Sequence, residues 1–324
     1  MIKILIYEYV TGGGLINEDL SSTLLHEAKL MTSRLHSDLS MSDEVSFSFF
    51  LDERLKNLAR PQSILINKQN SNKIYDENFL KKFDYVLPIL PETNLNLYKY
   101  TKFLEEKKIN KIISDKQTIL SLSNKLSFYN LFINQKINVI PTYNIKEINK
   151  IKKIKKLVIK DKYGAGCSFV KIFKNSSKKD FKDYNKNYIV QPYIDGKPYS
   201  ISAFFDQNDL YLLSINRQDI KITKNFIKLN KIIVNDKIVD DVKIYALLEK
   251  IKLILPKLYG YIGIDIIINK KDLYVVEINP RLTTSYIGLN ETLGINLVNL
   301  IIGKKIKKRI ISGKKFCINL NENK

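Results

Sequence analysis

The chain has 324 residues, with 54 Lys and Arg against 33 Asp and Glu, a net charge of +21, two Cys and two His. That length suits two or three compact units with ample core, while two cysteines make no disulfide framework and two histidines do not support a zinc centre. No apolar run approaches the roughly 18–20 residues needed to cross a bilayer, and the glycines and acids after the first strand argue against a signal peptide, so a cytoplasmic location with no membrane partner is expected.

The N-terminal third predicts an open α/β arrangement. Met1–Val10 reads as a strand, Gly12–Gly14 as a tight turn, and Glu18–Leu39 as a helix with Leu20, Leu24, Ala28, Met31 and Leu35 on one stripe. Strands are expected at Val45–Leu51, Ser63–Ile66, Tyr85–Leu90 and Lys111–Ser114, with a helix over Thr93–Lys107. Such alternation argues a parallel sheet covered by helices, whose ligands gather beyond the carboxyl ends of the strands. Glu8, Thr11, Gly12 and Gly13 are therefore candidate acceptor-substrate residues, with a plain turn as an equal alternative. Thr11-Gly12-Gly13-Gly14 lacks the GxGxxG spacing of a dinucleotide fold.

Downstream, a helix through Ser121–Gln135 carries Lys125, and Leu157-Val-Ile-Lys160 is a short apolar strand ending in a lysine. The turn Asp161-Lys-Tyr-Gly-Ala-Gly-Cys-Ser168 follows, and Phe169–Phe173 returns. Glycines at 164 and 166 let the backbone approach a phosphate, and Lys160 would aim a compact charge at it. A plain hairpin turn and a solvated helix face are the alternatives for the loop and for Lys125. Tyr188–Gly196 reads as a strand entering a polar linker able to offer backbone groups to a base, with a plain strand end and a turn at Asp195-Gly196 as the alternative. Further helices are expected near Lys178–Tyr184, over Val242–Leu258 and over Glu291–Ile302, and the tail Lys314–Lys324 is expected to fray.

The most informative stretch is Tyr261–Arg281, two apolar strands joined by a turn at Asn269–Asp272. Alternation puts Glu277 and Asn279 on one face, and folding about the turn brings Asp265 nearly opposite Glu277. Two carboxylates in an apolar sheet invite a cation, because an unpaired buried charge is costly. Mg²⁺ binds through one or two carboxylates and completes its shell with water and substrate phosphates. Asp265, Glu277 and Asn279 are the candidate metal ligands. An ordinary hairpin with charges facing water is the alternative.

In their order, Lys125, Lys160 with Tyr163-Gly-Ala-Gly166, Gln191-Pro-Tyr-Ile194, Asp265 and Glu277-Ile-Asn-Pro-Arg281 resemble the ATP-grasp superfamily, from about Ser114 to Gly303. Ile6–Gly14, Ser214-Ile-Asn-Arg-Gln218 and Arg281–Gly288 are most similar to the tyramine–glutamate ligase group of methanofuran biosynthesis. The resemblance implies an ATP-grasp fold, α/β and α+β, behind an N-terminal open α/β domain. It divides the chain into a pre-ATP-grasp domain at 1–117, a lid subdomain at 118–190, a metal and nucleotide subdomain at 191–313, and a tail at 314–324.

It further implies ATP with Mg²⁺ or Mn²⁺. Lys125, Lys160, Gly164, Gly166 and Ser168 would meet phosphates, and Gln191, Tyr193 and Ile194 adenine. Arg217 and Arg281 would lie near the transferred phosphoryl group or the substrate carboxylate. The sequence departs from the family at Pro198, where an acid commonly binds ribose, and at Cys167-Ser168, where a further glycine is common. The implied chemistry joins a small-molecule carboxylate to an amine through an acylphosphate. The alternatives are a dipeptide or D-amino-acid ligase, or a basic ATP- or nucleic-acid-binding protein without turnover. The lysines are spread through the chain and no aromatic RNA-binding signature accompanies them, which ranks nucleic acid behind ligation. A homodimer is the expected assembly if the chain associates.

Overall fold

The computed structural model describes residues 1–20, 22–150, 156–166, 169–174, 181, 184–236, 240–269, 272–294, 296–304 and 313–320. The first unit begins with β1 (Ile2–Glu8), α1 (Ser22–Ser40), β2 (Val45–Asp52), β3 (Ser63–Ile66), α2 (Glu77–Leu80), β4 (Tyr85–Ile89) and α3 (Asn96–Glu106). Its four strands run parallel in the order β3-β2-β1-β4. Leu5 and Ile6 of β1 are both fully buried, as expected where both faces of a parallel sheet are covered.

Next come α4 (Lys116–Ser123), α5 (Lys125–Phe132), β5 (Tyr143–Asn144), β6 (Lys156–Asp161), β7 (Val170–Lys174), β8 (Tyr188–Pro192), β9 (Lys197–Phe205), β10 (Leu210–Thr223) and β11 (Phe226–Val234). The chain ends with α6 (Asp241–Ile254), β12 (Gly260–Ile268), β13 (Leu273–Asn279), α7 (Leu289–Leu293), α8 (Val298–Ile301) and β14 (Phe316–Asn319). The second sheet is antiparallel, ordered β13-β12-β9-β10-β11-β7-β6-β8-β5, with β14 on β11. Ile4, Ile6, Leu35 and Leu39 share one apolar core with Phe204, Tyr211, Tyr261 and Tyr286, so the two sheets are packed together. A second core lies beneath β9, β10, β12 and β13, filled by α5 and α6.

Several expected elements differ. In α1 the buried stripe is Ala28, Met31, Leu35 and Leu39, while Leu24 is exposed. Lys111–Ser114 forms only a bridge from Lys111 to Val86. The helix expected from Thr93 starts at Asn96, because Asn94 and Leu95 both adopt left-handed backbone, with φ of 55° and 59°. The helix expected through Ser121–Gln135 breaks at Asn124, whose extended backbone ends α4 and whose side chain caps α5 by accepting from the Leu126 and Ser127 N–H groups. The one expected over Glu291–Ile302 is split after Leu293 by Gly294 at φ +61°. The tail expected to fray instead supplies β14, whose Ile318 is buried against β11 together with Leu320. Most of the expected helix at Lys178–Tyr184 lies outside the described residues, as do the last four residues of the tail.

Candidate active site

The β12–β13 hairpin closes through the Asn269 N–H to the Asp272 carbonyl at 3.0 Å and the Asp272 N–H to Asn269 Oδ1 at 2.8 Å. Its register sets Asp265 directly across from Glu277 and Gly263 across from Asn279. Asp265 is held from two sides: Gln218 Nε2 donates to Oδ1 at 2.8 Å and Asn279 Nδ2 to Oδ2 at 3.2 Å. Burial and the facing Glu277 charge push the Asp265 carboxyl up to about 7. Burial also opposes the Glu277 charge, but Lys125 and Lys160 more than offset it, and the Glu277 carboxyl lies below its ordinary value.

Lys125 is the first residue of α5, and it is buried. Its Nζ lies 3.4 Å from Glu277 Oε2 and also donates to the Gly164 carbonyl, so one ammonium spans the glycine loop and the carboxylate pair. Two further contacts tie that loop to the helix start: the Lys125 N–H to the Lys162 carbonyl at 3.2 Å and Asn124 Nδ2 to the Tyr163 hydroxyl at 3.2 Å. Gly166 has φ +61° and open space where a Cβ would stand. Ser168 and Cys167 lie outside the described residues. Lys160, one residue before the end of β6, lies opposite Val170, on the strand face that carries Val158. Val158, Val170 and Ile172 cluster there with Tyr193 and Ile227, an apolar patch beside a lysine.

Gln191 is buried on β8 and donates to Thr142 Oγ1 at 2.8 Å. The Tyr193 N–H is taken by the Lys156 carbonyl at 3.0 Å, and Lys156 Nζ sits 5.0 Å from the Tyr193 ring centre. Ile194 follows, half-buried. Glu8 folds back on its own loop, accepting from the Val10 N–H at 3.1 Å and from the Thr11 N–H and hydroxyl at 2.6 Å each. The Gly12 N–H bonds the Glu8 carbonyl, and Gly13 has φ +90°. The residues expected to meet substrate thus first of all close this turn.

The two arginines fare differently. Arg217 is adjacent to Gln218 on β10, so strand alternation sends it to the opposite face, where its Nε pairs with the buried Asp236 at 2.8 Å. The structure does not bring Arg217 to Asp265 and Glu277. Arg281 lies within the field of both carboxylates, and Glu92 grips it: Nε to Oε1 and Oε2 at 3.0 and 3.1 Å, and Nη2 to Oε2 at 2.8 Å. Burial opposes the guanidinium charge, and Glu92 more than offsets it. Glu27 on α1 accepts from Thr284 Oγ1 at 2.9 Å, and burial raises its carboxyl despite the nearby Arg281. The turn after β13 is seated closely: a Cβ on Gly263 would stand 2.5 Å from Thr283 Cγ2.

Sequence reasoning missed Gln218 as a site residue, and Glu92 and Glu27 altogether. Gln218 stands out only as part of a family-like segment. Glu92 and Glu27 carry no local signal, since the former meets Arg281 across 189 positions.

The donor set suits a hard divalent cation bound together with phosphates. Two opposed carboxylates and an amide face one spot, while among the described residues no group of three or more His, Cys, Asp or Glu forms a self-sufficient cage. The chain is also similar to known proteins in sequence and in fold. Residues 122–285 match the ATP-grasp domain family. The chain is 28% identical over 325 residues to a tyramine–L-glutamate ligase of Methanocaldococcus jannaschii, covering 98% of this chain and 94% of that protein. It is 27% identical over 323 residues to the tyramine–L-glutamate ligase of Methanocaldococcus fervens, covering 98% and 99%. An ATP-grasp superfamily protein of Archaeoglobus fulgidus superposes with a TM-score of 0.75 at 22% identity, over 98% of this chain and 92% of that one. With about half its length inside the family match and the fold in agreement, the chain belongs to the ATP-grasp family.

Proposed function

We propose that this ATP-dependent carboxylate–amine ligase joins glutamate, or a closely similar amino acid, to tyramine or a similar amine, using Mg–ATP. The observation that carries the site is the Asp265–Glu277 pair, bridged through Lys125 to the glycine loop at Gly164. The substrate pair is supported by likeness over nearly the full length of two ligases that bear those substrates in their names.

In this reading Asp265, Glu277 and Asn279 hold the ion, which when bound supplies charge neutralisation at the phosphate oxygens. Lys125 and Lys160 contact the phosphates, Gly164 and Gly166 let the loop lie against them, and the apolar patch of Val158, Val170 and Ile172 receives the adenine beside Tyr193 and Ile194. The acid's carboxylate oxygen attacks the γ-phosphorus of ATP and ADP leaves. The amine nitrogen then attacks the acyl carbon, phosphate departs and the nitrogen loses a proton. No covalent protein group is needed; positioning and charge neutralisation suffice. In this reading Arg281 meets the acid where its charge develops, and Glu8, which lies within the field of Arg281, brings its turn toward the site from the N-terminal unit. Arg217, facing away, is left to a structural pairing with Asp236.

The test is phosphate release from Mg–ATP in a matrix of amino acids and amines. Release in the glutamate–tyramine well that requires both partners is the expected result. Release with another pair would move the substrate assignment, and release in no well would remove the ligase reading.

A further inference from the structure

Glu92 follows β4 in the N-terminal unit, in a loop that sequence reasoning passed over. It is buried, and both its oxygens are spent on Arg281. The backbone just beyond it is strained: Asn94 and Leu95 are consecutive left-handed residues without glycine, a conformation that persists where the surroundings over-determine it. Hydrogen bonds hold the turn in place, from the Leu95 N–H to the Glu92 carbonyl at 2.9 Å and from the Leu97 N–H to the Pro91 carbonyl at 3.2 Å.

A guanidinium has five N–H donors in a fixed plane. Glu92 takes the side-on pair, the Nε–H and one N–H of Nη2. The Leu282 carbonyl takes one N–H of Nη1 at 3.2 Å. Among the described residues this leaves one N–H on Nη1 and one on Nη2, which form the end-on pair when the Leu282 carbonyl takes the Nη1 hydrogen on the Cδ side. Such a pair matches two oxygens of a carboxylate or phosphoryl group.

We propose that Glu92 is a positioning residue for ligation: by occupying the side-on edge of Arg281 it fixes the ring plane and presents the end-on N–H pair to the oxygens of the acid substrate and its acylphosphate. This rests on the ligase reading above, and it makes the N-terminal unit a contributor to the chemistry through one ion pair. A merely structural salt bridge would affect stability and all substrates alike. A positioning role acts on the acid and on turnover, and only while Arg281 is present.

The experiment is a double-mutant cycle of Glu92→Gln and Arg281→Lys, with KM for the acid, kcat and ATP affinity measured for each protein. Glu92→Gln is expected to raise the acid KM about tenfold or more and to lower kcat, leaving ATP affinity within about twofold. In the Arg281→Lys background it should add little. Independent, multiplying effects of the two changes, or an unchanged acid KM in Glu92→Gln, would overturn the proposal. Glu92→Asp keeps the charge and serves where the amide does not fold; it should fall between wild type and Glu92→Gln. Exchange of the Arg281 Nε–H followed by NMR needs no substrate. Slow exchange in wild type and fast exchange in the variant is expected, and equal exchange would overturn Glu92 even if every ligase assay were silent.

Discussion

Asp265 and Glu277 stand in each other's field, and the cations fall nearer to Glu277, so the two carboxyls divide one burden unequally. Glu277 stays ionised beside Lys125 and Lys160, while Asp265 is lifted from 3.8 to about 7. Because the folded value of Asp265 exceeds the unfolded one, the folded protein binds the extra proton between them. Its ionisation therefore costs stability progressively as pH rises from about 4 to about 7, and the cost is fully present above that. Ligand-free protein should lose thermal stability across this window, and Asp265→Asn should flatten the loss in unfolding scans at stepped pH. A cation needs the ionised form, so Mg²⁺ affinity should rise with pH through about 7 in wild type. Much of this pair was legible beforehand, because two-residue periodicity and a short turn fix which residues oppose each other. Gln218 was not, because the strand beside β12 in the sheet is β9, and the amide reaches Asp265 from β10 beyond it.

Among the elements, the break between α4 and α5 matters most. An uninterrupted helix would carry Lys125 in mid-helix. The break makes it a first-turn residue, with its N–H on Lys162 and its ammonium on Gly164. Asn124 caps α5 and holds Tyr163 as well. Asn124→Ala should therefore cost about 1 kcal/mol of stability and weaken ATP binding several-fold. Tyr163→Phe should weaken ATP with little loss of stability, and calorimetry of nucleotide binding beside thermal unfolding separates the two effects. The sequence Ser123-Asn124 carries the capping residue, but the flanking Leu120, Leu122, Leu126 and Phe128 continue the apolar pattern and mask the break. The tail was misread for another reason. Phe316-Cys-Ile-Asn319 becomes a strand only by pairing with β11, some eighty positions earlier, and no local feature announces a partner at that range.

At the scale of the whole molecule, the proposed ligase site depends on how the first sheet is seated on the second. Asp38 of α1 is buried and receives Arg34, Asn290 and the Tyr286 hydroxyl, linking α1 to α7 and to the 3-10 turn Thr284–Gly288 before it. Asn296 adds a bond to the Asp38 carbonyl. Removing one partner of a buried charge network typically costs about 3–5 kcal/mol. Asp38→Ala should show that loss in denaturant titration, in one transition for both units because they share a core. The fold family was visible in the order of short motifs along the chain. The seating was not, since it is made by residues such as Asp38, Glu27 and Glu92 whose partners lie some 190–260 positions away.

The most direct measurement of the central claim compares Glu277→Gln with wild type in phosphate release that requires ATP, Mg²⁺, an acid and an amine, after confirming by circular dichroism that the variant is folded. The amide keeps the shape but removes the Glu277 charge that Lys125 and Asp265 face. A loss of turnover greater than the ~10–100-fold that outer-shell partners cost is the predicted result. Turnover unchanged in the folded variant would contradict the placement of the Mg–nucleotide site on the β12–β13 hairpin.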